Sequence, residues 1–148
     1  MLHVTTARKT NHHKKAIAVE IFFAIAMLAV FFVPASQASD ITSNMVILLV
    51  NKARSATNVT ALKKNDLLQQ AAEEKAQDMI NNNYFAHVST QKKSPWYWIE
   101  KNEYDYTYAG ENLAINFTNS EDQQEAWMES PLHKKNILNP NYDEIGVA

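Results

Sequence analysis

Gly110-Glu111-Asn112-Leu113-Ala114 is the stretch on which the reading of this chain turns. Gly110 is one of only two glycines in 148 residues, and it interrupts Tyr104–Phe117, a segment whose Tyr, Thr, Ile and Phe read as extended backbone. A carboxylate, Glu111, stands at that break. Outward in both directions lie the two histidines beyond the N-terminal region: His87, 24 residues before Glu111, and His133, 22 residues after it. No single helix or strand spans such distances, so any joint chemistry of the three must be assembled by the fold.

The flanking segments are helical in pattern. Ile41, Met45, Leu48, Leu49 and Lys52 recur at spacings of three and four, which predicts a helix over about Ser43–Arg54 with the apolar members on one face. Residues 55–64 lack periodicity and read as a loop. Asn65 can cap a second helix whose stripe is Leu68, Ala71, Ala72, Ala76, Met79 and Ile80, ending in Asn81-Asn82-Asn83. Ser94-Pro95 opens a short third helix carrying Trp96, Tyr97 and Trp98. Ser120, with Gln123 three residues on, predicts a capped fourth helix that Pro131 limits to about ten residues. Ile145-Gly146-Val147-Ala148 looks like the start of a strand.

Composition excludes several function classes. There is no cysteine, hence no disulfide framework, thiolate metal cluster or thiol nucleophile. Two glycines leave no Gly-rich loop to cradle a nucleotide phosphate. At the N-terminus Arg8, Lys9, Lys14 and Lys15 precede thirteen unbroken apolar residues, Ile21–Val33, then Pro34 and the small residues Ser36 and Ala38. That order predicts a cleaved secretory signal over 1–38, leaving a domain over 39–148. The rival, a retained anchor, needs about 20 apolar residues, and lengthening the run back to Ala16 brings Glu20 into the bilayer. Ten of the fourteen Lys and Arg and fifteen of the sixteen Asp and Glu lie beyond residue 38, so the exported part carries about −5. An acidic surface of that kind argues against nucleic-acid partners, and it leaves the membrane to the N-terminal segment alone.

Four pieces follow one another in order: Phe85-Ala86-His87-Val88-Ser89, Gly110-Glu111-Asn112-Leu113-Ala114, Trp127-Met128-…-Ser130-Pro131-…-His133, and Asn136-Ile137-Leu138…Ile145-Gly146-Val147. Together they resemble a bacterial member of the CAP superfamily, the SCP or cysteine-rich secretory, antigen 5 and pathogenesis-related-1 family. The resemblance covers about Ile41 to Ala148. It implies an α+β fold, an α-β-α sandwich with a small antiparallel sheet flanked by helices, here lacking its last strands, so that the domain is expected to be incomplete at its C-terminus. It also implies a cleft lined by two histidines and two acids, which His87, Glu111 and His133 match position by position. The second acid falls in many relatives where Ser130 stands here. Glu129 is one residue earlier, about 100° round a helix.

Two neutral imidazoles and one carboxylate, His87, His133 and Glu111, form a plausible ligand set for Zn2+ or another divalent cation with one position open. The same groups can serve as a base and an orienting acid, or as a hydrogen-bond network that merely ties three loops together. A Ser89–His nucleophile pair can also be drawn, although no oxyanion-hole motif accompanies it. Trp96, Trp98, Tyr104, Tyr106 and Tyr108 can line a ligand groove or fill the core. The expectation is therefore an exported, extracellular or envelope binding module whose His/Glu cleft takes a divalent cation, a small or lipidic ligand, or a cell-wall component. The alternatives are a metal-assisted hydrolase of peptide or cell wall, and a structural envelope or spore-coat component.

Overall fold

Helix α1 (Ser43–Ala56) begins at Thr42, whose Oγ1 accepts from the Met45 amide at 3.2 Å. The computed structural model describes residues 40–148; the expected signal over 1–38 lies outside the described residues. Strand β1 (Lys63–Lys64) and helix α2 (Asp66–Asn81) follow, then α3 (Trp96–Lys101), α4 (Ser120–Glu129), α5 (Pro131–Ile137) and β2 (Glu144–Ile145). Helix α1 packs on α4 and α5, α2 packs on α3, and β2 lies against α2. Ile145 of β2, and Val147 just beyond it, also reach the core of α1. The architecture is α+β, with a two-stranded sheet between helical groups.

The buried stripe of α1 is Val46, Val50 and Arg54, whereas Leu48 of the expected face is 59% exposed. Val46–Val50 is apolar at every position, so periodicity alone cannot select the inward face. Arg54 decides it. Its fully buried guanidinium donates to the carbonyls of Thr60 (2.7 Å), Ile137 (2.8 Å), Asn139 (2.9 Å) and Tyr142 (3.0 Å). Val46, Val50, Leu62 and Ile137 form the core around it, joined by Trp127, Met128 and Leu138.

In α2 the expected cap holds: Asn65 Oδ1 accepts from the Leu67 and Leu68 amides at 2.9 and 3.2 Å. The asparagine run ends the helix, and Asn83 takes φ of 49°, the left-handed conformation asparagine tolerates best after glycine. Ile80, the last member of the expected stripe, is however 72% exposed.

Pairing in the sheet is parallel, Lys63 opposite Glu144 and Lys64 opposite Ile145, which corrects the expected antiparallel arrangement. The cause is how the C-terminal residues dock on the first turn of α2. Gln69 receives the Val147 amide (3.1 Å) and donates to the Val147 carbonyl (2.6 Å), while Ser43 Oγ donates to that same carbonyl (2.7 Å). Gly146 lies so close to the Leu68 and Gln69 backbone that a Cβ has no room. Because β1 leads straight into α2, this docking sets β2 parallel to it.

Two further expectations are corrected. Tyr104–Phe117 contains no strand; with no partner strand beside it, side-chain bonds hold it instead, including Tyr104 Oη to Glu144 (2.7 Å), Tyr142 Oη to the Ala109 carbonyl (3.0 Å) and Trp127 Nε1 to the Leu113 carbonyl (3.0 Å). The cap of α4 is Asn119, whose Oδ1 accepts from the Asp122 amide at 2.8 Å, while Ser120 is buried and donates to the Asp40 carbonyl at 3.0 Å. Pro131 does end α4, but it also opens α5 at the first helical position, where its missing N–H is harmless. Among the described residues no helix is long and apolar enough to cross a membrane.

Candidate functional site

His87 lies in the loop after α2, and its position is held from two sides. Lys75, one turn beyond Ala71 on the buried face of α2, donates from Nζ to the His87 carbonyl. Ser89 is buried two residues on, its Oγ accepting from the Gln91 and Lys93 amides at 3.2 and 3.1 Å. That hydroxyl is the internal cap of the loop, a structural use rather than the nucleophilic one.

The fold brings Glu111 to this loop. Its Oε1 lies 2.7 Å from His87 Nδ1, and its Oε2 lies 3.7 Å from Lys75 Nζ. A carboxylate accepts only, so His87 carries a proton on Nδ1, and in the neutral ring Nε2 is then an acceptor. Exposure grades outward along the three: 5% for the Lys75 side chain, 18% for Glu111 and 57% for His87. The Lys75 ammonium also sits 4.7 Å from the centre of the Trp98 ring, itself buried. A cation so enclosed is held by the carboxylate, the carbonyl and the aromatic face together.

His133 is placed by α5. Its imidazole lies 6.3 Å from Trp127, tilted by 32°, and its Nδ1 is buried without a hydrogen-bond partner. Asparagine side chains link it to the Glu111 loop: Asn112 Nδ2 donates to the His133 carbonyl (3.2 Å), and Asn136 Nδ2 donates to the Glu111 carbonyl (3.2 Å) and to Asn112 Oδ1 (2.9 Å). The Glu111 loop is thus riveted to α5. Among the described residues, however, no three His, Cys, Asp or Glu side chains converge as a metal-ligating group. Glu129 is exposed at the last position of α4.

Lys75 is the member that reading of the sequence missed. The signal was present: Lys75 stands four residues after Ala71 and seven after Leu68, inside the apolar stripe. A lysine there must find a buried partner or disrupt the helix face. Beside the site opens a cavity of about 600 Å3 whose wall includes Phe85, Trp98, Glu111 and Gln123. Gln123 is 3% exposed, and both atoms of its carboxamide lack a protein partner. Trp96 and Trp98 border this cavity, whereas Tyr104, Tyr106 and Tyr108 line a second one of about 570 Å3 on the other side of Gly110.

The small sheet flanked by helices matches solved SCP-domain structures in fold. The Cysteine-rich secretory protein (CAP) family matches residues 47–148, and the chain belongs to that family. The protein YkwD of Bacillus subtilis is 39% identical over 103 residues, covering 70% of this chain and 40% of that protein. The membrane protein YlbC of the same organism is 35% identical over 108 residues, 72% of this chain and 31% of its own length. This chain therefore spans well under half of these relatives. Among solved structures, an extracellular SCP-domain protein from Bacillus anthracis matches with a TM-score of 0.67 at 27% identity, over 72% of this chain and 36% of the other. An outer surface protein from Borrelia burgdorferi matches with a TM-score of 0.65 at 25% identity, over 70% of this chain and 76% of the other.

Proposed function

We propose that this chain is an exported binding module, working outside the cell or at its envelope, that takes a small, largely apolar or lipidic ligand beside the His87–Glu111 pair. The observation that carries this reading is the cavity of about 600 Å3, walled by apolar side chains and reaching Glu111 and Gln123. Volumes of this order, mostly apolar with a few convergent polar groups, are typical of small-molecule sites. The extracellular and outer-surface relatives support a place outside the cytoplasm. Two polar features narrow the ligand. Gln123 offers an unused donor and acceptor within the cavity, and His87 Nε2 offers an acceptor at the surface. A ligand with an apolar body and a hydroxyl end satisfies the Gln123 carboxamide inside the cavity.

The experiment is a titration of the purified protein with 1-decanol, read by tryptophan emission, since Trp96, Trp98 and Trp127 border the cavity. Saturable one-to-one binding is expected, lost when Ala72→Phe fills the cavity and weakened about tenfold by Gln123→Leu, which removes the hydrogen-bonding end. An emission spectrum unmoved by decanol overturns the reading.

One geometric feature favours a second reading. A carboxylate that orients an imidazole and leaves Nε2 free is the arrangement of a general base. Turnover of peptide or peptidoglycan fragments that disappears in His87→Ala would establish a hydrolase; no turnover across both panels would dismiss it. A bound divalent cation, another of the expectations, depends on whether the donors fit.

A further inference from the structure

A divalent cation held by His87, Glu111 and His133 would need the negative charge of Glu111 free to face it and lone pairs directed at one point. The residues do not fit that demand. Glu111 Oε1 is taken by the N–H of His87 at 2.7 Å, and Oε2 faces an ammonium at 3.7 Å. His87 presents its lone pair from Nε2, on the side away from Glu111, and the three groups do not converge. The charge beside the carboxylate is already supplied.

We infer that Lys75 takes the place of a metal ion in this site: its buried ammonium neutralises Glu111 and secures the His87 loop, so that the site works without a divalent cation. Three contacts support the substitution. The ammonium bonds the His87 carbonyl, pairs with Glu111 Oε2 and sits over the Trp98 ring, linking the same loop and carboxylate that a bridging cation would link. Its side chain is 95% buried, so neither water nor salt screens the pair well. A dication approaching Glu111 would meet a like charge a few ångströms away in a poorly polarisable setting, which lowers its affinity steeply. The electrostatic sum of Lys75 and Glu111 is zero, which also suits the neutral, hydroxyl-ended ligand proposed above; the inference rests on the same His87–Glu111 site.

Calorimetric titration of the full chain with zinc alone tests it. The wild type and Lys75→Arg are expected to bind zinc no tighter than about 1 mM. Lys75→Gln keeps a donor for the His87 carbonyl but removes the charge, and Lys75→Met removes both; each is expected to bind zinc at least about tenfold more tightly than the wild type. Wild-type zinc binding tighter than about 1 mM that His87→Ala abolishes overturns the inference, whether or not a Lys75 variant folds. Binding that persists in His87→Ala belongs to other histidines such as His3, His12 and His13 and leaves the expected result at this site intact. Folded Lys75→Gln with no gain in zinc affinity overturns it too. Decanol binding is read separately, so failure of the ligand reading and failure of this one are told apart.

Discussion

Arg54 Nη2 lies 3.0 Å from the carbonyl of Tyr142, a contact between residues 88 positions apart that closes the C-terminal segment onto α1. The same guanidinium serves three more carbonyls from two other segments, and it is wholly buried. Burial pulls its pKa down from the ordinary arginine value, while nearby Asp143 opposes the shift. Four backbone acceptors therefore depend on one planar fork.

Arg54→Leu should accordingly destabilise the protein by about 3 kcal/mol or more, because hydrogen bonds to a charged donor are worth about 1.5–3 kcal/mol each and the Ile137 carbonyl is left buried without its donor. Arg54→Lys should recover little of this, since a point-like ammonium cannot span the four positions. Urea unfolding followed by circular dichroism checks both. A midpoint for the lysine variant equal to the wild type would contradict the account.

Gly146→Ala tests the docking of β2. A Cβ there collides with the Leu68 and Gln69 backbone, which cannot yield as a side-chain end can. The strand must move off α2, breaking the Gln69–Val147 pair of hydrogen bonds. The expected cost is about 3 kcal/mol, of the order seen for overpacking in a close-packed interior. Hydrogen exchange at the Val147 amide should accelerate with the loss of stability.

Asn119→Ala should cost about 1 kcal/mol through loss of the α4 cap. Ser120→Ala should act differently, by releasing the Asp40 carbonyl from a buried hydroxyl. Thermal melts of both variants, with proteolysis near residue 40 as second readout, separate the roles: only Ser120→Ala should expose that site to cleavage.

Tyr84, Tyr104 and Glu144 contribute to the pH dependence of stability. Burial, reinforced by a hydrogen bond to Asp78, raises Tyr84 to about 12, and burial with a hydrogen bond to Glu144 raises Tyr104 to about 12. Both folded values lie above the unfolded value of 10, so their contribution is complete below pH 10 and is lost as pH rises towards 12. On the acid side, the bond from Tyr104, then that from Asn65, holds Glu144 below the ordinary carboxylate value. Its contribution is present above the unfolded value and disappears as pH falls through the lower folded one. Tyr104→Phe should flatten both limbs of a melting-temperature profile, and a profile unchanged between pH 10 and 12 would refute the assignment.

Helix positions are legible in the sequence because local rules place them. Asn65 caps α2 through its own next amides, and the asparagine run ends it, with no help from the rest of the chain. Helix α5 escapes that reading although Ser130-Pro131 repeats the Ser94-Pro95 signal that marks α3. A proline that terminates one helix can equally initiate the next. The inward face of α1 is illegible for a different reason: an unbroken apolar run has no phase.

By itself, the order of residues determined four of the five helical segments and the absence of a thiol, and, through the family resemblance, named His87, Glu111 and His133 as candidates for one cleft. Tertiary structure alone decided that the sheet is parallel, that Arg54 lies inside, and that Lys75 reaches the carboxylate. The physical reason is range. Helix caps and stripes are set by bonds over three or four residues, whereas strand direction and the solvation of a charge depend on segments dozens of residues away, which only packing brings near.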